Sequence, residues 1–207
     1  FISGMNSALT PWMYSKIKKG DIRSMRKVLQ LLSVVVVGIA VALMLISPEL
    51  VLIFGSPKYR EAVYVIPPVA ASVFFIFIYN ILSMPQFYYE KTQFLMAASM
   101  AAAGANVVLN FIFIRLFGYI AAGYTTLACY MLYSVGHYIV SKRILVNEGI
   151  QENLMNPGFL LACSVFLIGA SIICNLIFPY RILRYAILLA SAGLVFWKKE
   201  LLLKTMA

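Results

Sequence analysis

Charge is what this chain has least of. Only 12% of its 207 residues are charged, with seven acidic side chains and one histidine. Soluble domains carry about 25% charged residues, so an ordinary water-facing surface is excluded. So few carboxylates and one imidazole also remove most catalytic chemistry. No HExxH, GxSxG or phosphate-binding loop pattern occurs, and no carboxylates cluster within the apolar runs. Cys129, Cys163 and Cys174 lie singly in apolar runs, without CxxC or Cys/His spacing. They are expected to be small core residues. Long polar loops are missing as well: the longest connection, residues 141–156, cannot house the loop-borne site of a membrane glycosyltransferase or polymerase. These absences predict a protein that is not an enzyme and holds neither metal nor cofactor.

What the chain has is apolar length. It is 63% hydrophobic, and apolar runs of membrane-crossing length recur along it. Residues 98–130 set the pattern. One apolar run carries Asn106 and Asn110 four apart and breaks at Arg115-Leu116-Phe117-Gly118. A second run then opens on Ala121, Ala122 and Gly123. The pattern predicts an all-α, polytopic transmembrane helix bundle of one truncated helix and six complete spans. Residues 1–18 read as the end of the truncated helix, and Phe1-Ile2-Ser3-Gly4 marks the chain as the C-terminal fragment of a longer protein. Residues 19–27 read as a basic cytoplasmic loop. The spans fall in 28–207, at about 28–54, 62–88, 93–114, 119–140, 158–178 and 182–197. Pro67-Pro68 and Pro85 are expected to kink the second of them.

The net charge of +10 invites a nucleic-acid reading. That reading fails, because the charges fall between apolar runs and form no stripe. They fit membrane topology better. Connections on one side carry Lys16, Lys18, Lys19, Arg23, Arg26, Lys27, Lys91, Lys142, Arg143, Lys198, Lys199 and Lys204. The other side carries Lys58, Arg60, Arg115, Arg181 and Arg184. Basic residues concentrate on the cytoplasmic side. The first set, and with it the C-terminus, is therefore expected in the cytoplasm.

No ionisable residue is expected at mid-span. Glu49, Arg115 and His137 read as boundary residues that reach headgroups. Four asparagines do fall within spans: Asn6, Asn80, Asn106 and Asn110. An amide facing hydrocarbon is costly, so each should meet protein or a water-filled cavity. Two uses remain open, an interhelical hydrogen bond or the lining of a substrate path. Ala97, Ala98, Ala101, Ala102, Gly104 and Ala105, with Ala121, Ala122 and Gly123, predict close helix–helix seams.

Several stretches carry a family likeness. They are Asn106-Val-Val-Leu-Asn110 followed by Phe117-Gly118-Tyr119-Ile120-Ala121-Ala122-Gly123 and Thr125-Thr126-Leu127; residues 9–16, LTPWMYSK; residues 47–50 with 54–59 and Pro67-Pro68; and Tyr88-Tyr89-Glu90-Lys91-Thr92. Over about residues 1–145 the chain resembles the polysaccharide and O-antigen repeat-unit flippases (Wzx-like) of the multidrug/oligosaccharidyl-lipid/polysaccharide exporter superfamily. The resemblance implies the C-terminal lobe of a two-lobed flippase in a bacterial inner membrane. Such a protein moves an undecaprenyl-diphosphate-linked oligosaccharide across the bilayer by alternating access. Its implied partners are that lipid-linked substrate, membrane lipids and the N-terminal lobe. Asn6, Asn80, Asn106 and Asn110 are the residues expected to face the cavity. The resemblance implies that the N-terminal lobe supplies cations for the diphosphate or, alternatively, that the contacts here are to sugar through Asn, Tyr and Gln. A drug/cation antiporter of the same superfamily and an integral-membrane polymerase or ligase are the alternatives.

Overall fold

A computed structural model describes residues 2–197. The described chain is helical throughout and contains no strand. In order it forms α1 (Ile2–Lys18), α2 (Ile22–Phe54), a 3-10 helix (Pro57–Tyr64), α3 (Ile66–Tyr88), α4 (Gln93–Phe117), α5 (Ala121–Asn147), α6 (Pro157–Ile177) and α7 (Arg181–Trp197). Four of these, α2, α3, α4 and α6, are long and apolar enough to cross a membrane. Lys198, Lys199 and Lys204, which the charge pattern places with the basic side, lie outside the described residues.

Local chemistry sets the helix limits. The Asp21 side chain accepts from the Ser24 backbone N–H at 3.2 Å and so caps α2. Lys16 donates to the same carboxylate at 2.6 Å. That hydrogen bond, with the Ser24 N–H second, holds the Asp21 carboxyl below its usual range. Most of the basic stretch expected as a loop is thus helical: only residues 19–21 turn, and Arg23, Arg26 and Lys27 lie on α2. Pro67 and Pro68 do not kink a span. They open α3, where a missing N–H has no intrahelical partner to lose. Pro48 does lie inside α2 and cannot donate to the Met44 carbonyl. The Ser47 hydroxyl donates to that carbonyl instead, at 2.8 Å. Gly118 ends α4 with φ +75, a conformation that favours glycine.

α3 lies at the centre, packed against α1, α2, α5 and α6. Phe74, Phe77, Ile78, Ile81 and Leu82 bury its flanks. α5 packs on both α3 and α4. α4 itself buries no residue, and Met96, Met100, Val107 and Phe111 leave most of their surface uncovered.

Side-chain contacts gather the connections at two ends. At one end Arg26 donates to the Asn153 carbonyl at 2.7 Å and pairs with Glu152 at 3.2 Å, while Lys91 pairs with Glu148 at 2.7 Å. At the other end the Tyr119 hydroxyl donates to Glu61 at 3.1 Å, and the rings of Tyr64 and Phe178 lie 5.7 Å apart. Successive connections therefore alternate between the ends, as an up-and-down bundle requires.

Candidate functional site

α5 forms the floor of a groove walled by α3 and α4. Thr126, Cys129, Tyr130 and Tyr133 follow the i, i+3, i+4, i+7 spacing that keeps side chains on one helical face. Tyr79 projects from α3. Ser99, Ala102, Ala103, Asn106 and Val107 come from α4, again at helical spacing. The alanines leave room above the floor, and the space amounts to about 460 Å³. Asn106 sits near the middle of α4, roughly 20 and 17 Å from its two ends at 1.5 Å per residue.

The rings are ordered by one another. Tyr79 and Tyr130 lie nearly parallel, 6° between planes and 6.2 Å between centroids. Tyr133 tilts against Tyr79 at 4.7 Å, and its hydroxyl is 2.7 Å from that of Ser99. Beneath them His137 meets Tyr133 edge to face at 4.5 Å and Phe94 at 5.3 Å. The His137 Nδ1 lies 2.8 Å from the Gln86 amide nitrogen. That amide donates, so Nδ1 accepts and the ring proton sits on Nε2. His137 is fully buried. It is not the interfacial histidine expected, because α5 turns it inward against α3 rather than toward an end of the helix.

Two of the four asparagines come together. Asn110 Nδ2 donates to Asn106 Oδ1 at 2.9 Å, and the Thr125 hydroxyl of α5 donates to Asn110 Oδ1 at 2.5 Å. This ladder ties α4 to α5, and its Asn106 end lines the groove. Asn80 donates into its own helix, to the Ile76 carbonyl at 2.7 Å. The Asn6 backbone carbonyl accepts from Thr10 on α1. Neither Asn6 nor Asn80 lines the groove.

The expected seams divide. Gly123 is a true close approach: a Cβ there would lie 2.8 Å from Pro68 Cγ and 2.9 Å from the Val65 carbonyl oxygen of the chain entering α3. On α4 Ala98 and Ala102 are half-buried. Ala97, Ala101, Gly104 and Ala105 are exposed. Cys129 and Cys174 are buried and Cys163 half-buried, each as a free thiol.

One charged site departs from expectation. Arg184, counted with the connection charges of the less basic side, is enclosed in the bundle instead: its side chain is 1% exposed and pairs with Glu49. Residues 135 apart in sequence give no local pattern by which such a pair announces itself. The tyrosines on α3 and α5 were missed for a similar reason. A signal did exist on α5, where a polar and aromatic stripe at helical spacing interrupts an apolar run.

Compared with protein-family models, with curated proteins and with solved structures, the chain matches none. The groove must therefore be read from its own chemistry. It offers stacking surfaces, hydroxyls and an amide, and among the described residues no charged side chain lines it.

Proposed function

We propose that this chain is one helical lobe of a membrane transporter, and that the α3–α4–α5 groove forms part of its substrate path. The observation that carries the reading is the groove itself: an open surface at mid-helix that sets an amide and several hydroxyls among apolar groups in a bundle of apolar helices. Exposed to lipid, an unsatisfied amide costs a few kcal/mol. Such a surface belongs against water, a polar substrate or an opposing protein wall.

The sequence likeness gives the transporter its kind. The substrate is an undecaprenyl-diphosphate-linked oligosaccharide, and the membrane is a bacterial inner membrane. The basic end, with Arg26, Lys91 and their neighbours, faces the cytoplasm by the positive-inside rule. The mechanism is alternating access, in which this bundle rocks against a second lobe around the groove. The lobe's share in substrate handling is neutral, and cations for the diphosphate come from the opposite lobe.

The Glu49 carboxylate favours a second reading. It accepts from Arg184 and from the Tyr185 hydroxyl within the helical bundle. A buried-edge carboxylate of this sort is what an ion-coupled drug antiporter of the same superfamily would use.

Reconstitution of the full-length protein in vesicles separates the two. The flippase reading predicts that externally added undecaprenyl-diphosphate oligosaccharide becomes accessible to an enzyme trapped inside, and that Asn106→Leu with Asn110→Leu slows this at least about tenfold. Uptake of an organic cation without movement of the lipid-linked sugar would favour the antiporter.

A further inference from the structure

α5 and α6 both pack on α3 but not closely on each other. Between them lies an open cleft of about 270 Å³. Phe75 of α3 lies on its floor, Met131, Val135 and Tyr138 form one wall, and Leu160 and Leu161 form the other. At 1.5 Å per residue each wall runs for about 10 Å, from Met131 to Tyr138 on α5 and from Pro157 to Ser164 on α6. Val135 and Leu161 are exposed at the rim.

The cleft offers a ligand hydrocarbon and little else. Its two serines turn to the backbone. The Ser134 hydroxyl is shared between the Phe75 and Tyr130 carbonyls, at 2.9 and 2.8 Å, and Ser164 donates to the Leu160 carbonyl at 2.8 Å. A sugar or a free polar ligand would find almost no partner there. A hydrocarbon chain needs none.

Charge stands at one end of this slot. Lys142 follows Met131, Val135 and Tyr138 at i, i+4, i+7 and i+11, so the four share one face of α5. It lies one turn, about 6 Å, beyond Tyr138, with Arg143 beside it. Both are exposed, and neither pairs with an acidic side chain among the described residues. The next acidic residues along the chain, Glu148 and Glu152, are already engaged by Lys91 and Arg26. Since α3 and α6 are long and apolar enough to cross a membrane, the slot opens toward lipid, and its charged end meets the headgroup layer at the basic end of the bundle. Long cationic side chains reach that layer readily.

We propose that the α5–α6 cleft binds an acidic glycerophospholipid, with one acyl chain in the slot and the phosphate held by Lys142 and Arg143. Charge-assisted hydrogen bonds to phosphate favour such a pair of cations, and basic pockets between membrane helices take acidic headgroups. A zwitterionic phospholipid brings an ammonium of its own and gains less. The bound chain fills the gap where α5 and α6 do not meet, and so fastens α6 to the bundle. The site stands apart from the transporter reading: the α5 residues of the α3–α4–α5 groove lie on the opposite face of the helix.

The test uses the full-length protein in detergent and three lipids: dioleoylphosphatidylglycerol, dioleoylphosphatidylethanolamine and undecaprenyl diphosphate. Native mass spectrometry gives the affinities, and a diazirine on the acyl chain of the phosphatidylglycerol maps the contact. Phosphatidylglycerol is expected to bind at least about tenfold tighter than phosphatidylethanolamine and to label peptides holding residues 131–138 and 157–164. Lys142→Gln and Arg143→Gln should each weaken it about fivefold. Lys27→Gln, at an exposed cation of the same end on α2, should leave it unchanged. Leu161→Trp should fill the slot and abolish the labelling; should that variant fail to fold, the two glutamine variants at exposed positions decide the matter. Four results would overturn the site: equal affinity for the two phospholipids, labelling outside the cleft, an equal loss in Lys27→Gln, or tighter binding of undecaprenyl diphosphate than of phosphatidylglycerol.

Discussion

Arg184 on α7 and Glu49 on α2 form a two-point ion pair, Nη1 to Oε2 at 2.9 Å and Nη2 to Oε1 at 2.8 Å. Arg184 Nη1 also donates to the Leu45 carbonyl at 2.7 Å, one turn before Glu49. Tyr185 adds a hydroxyl to Glu49 Oε1 at 2.8 Å. The guanidinium is thus fully enclosed and held from two sides, while the carboxylate keeps an edge to the outside. The arrangement fastens the last described helix to the longest one.

Breaking that pair from either side should differ in cost. Glu49→Ala leaves a buried guanidinium without its counter-charge, and removal of one partner of a buried pair costs about 3 kcal/mol. Arg184→Met removes the charge that is costly to bury and leaves a carboxylate that can still reach solvent. We expect thermal unfolding in detergent to fall markedly for Glu49→Ala and less for Arg184→Met. The double variant should fall less than the sum of the two. Equal and additive losses would mean that the pair contributes no coupling.

Two glycines make an internal control for helix packing. A methyl group at Gly123 would run into Pro68 and the Val65 carbonyl, so the start of α5 can approach α3 only without a Cβ. Overpacking of this kind costs about 1–3 kcal/mol. At Gly104, in the middle of α4, an added Cβ meets nothing within 4 Å. Replacing a mid-helix glycine by alanine there should stabilise by about 0.5–1 kcal/mol. Gly123→Ala should therefore lower the melting temperature and Gly104→Ala raise it or leave it unchanged. The same sign at both positions would contradict the packing at the α3–α5 seam.

The hairpin of α4 and α5 was legible in the chain because local rules govern it. Asn106 and Asn110 are one helical turn apart, so their mutual hydrogen bond follows from spacing alone. Asparagines can serve packing and path together, and here they do: Asn110 binds Thr125 across the seam while Asn106 lines the groove. Asp21, three residues before Ser24, carries a cap signal inside a basic run. What could not be read was partnership at a distance. Tyr79 and Tyr130 are 51 residues apart, and their alignment depends on how α3 rotates against α5. The same rotation buries His137. Arg184 counts with the connection charges because it lies in the first turn of α7 and its counter-charge is 135 residues away.

The central claim is that the α3–α4–α5 groove is a water-filled path at membrane depth, and thiol accessibility tests it most directly. In the full-length protein with Cys129, Cys163 and Cys174 replaced by alanine, single cysteines go in at Asn106 and Thr126 in the groove. Two more go in at Val108 and Leu132, which are 55% and 68% exposed on apolar surface outside it. A membrane-impermeant maleimide is then applied to the protein in its native membrane. The account predicts that Asn106→Cys and Thr126→Cys react at least about tenfold faster than Val108→Cys and Leu132→Cys, since a charged reagent cannot enter hydrocarbon. Groove cysteines that react no faster than the two outside it would contradict the account.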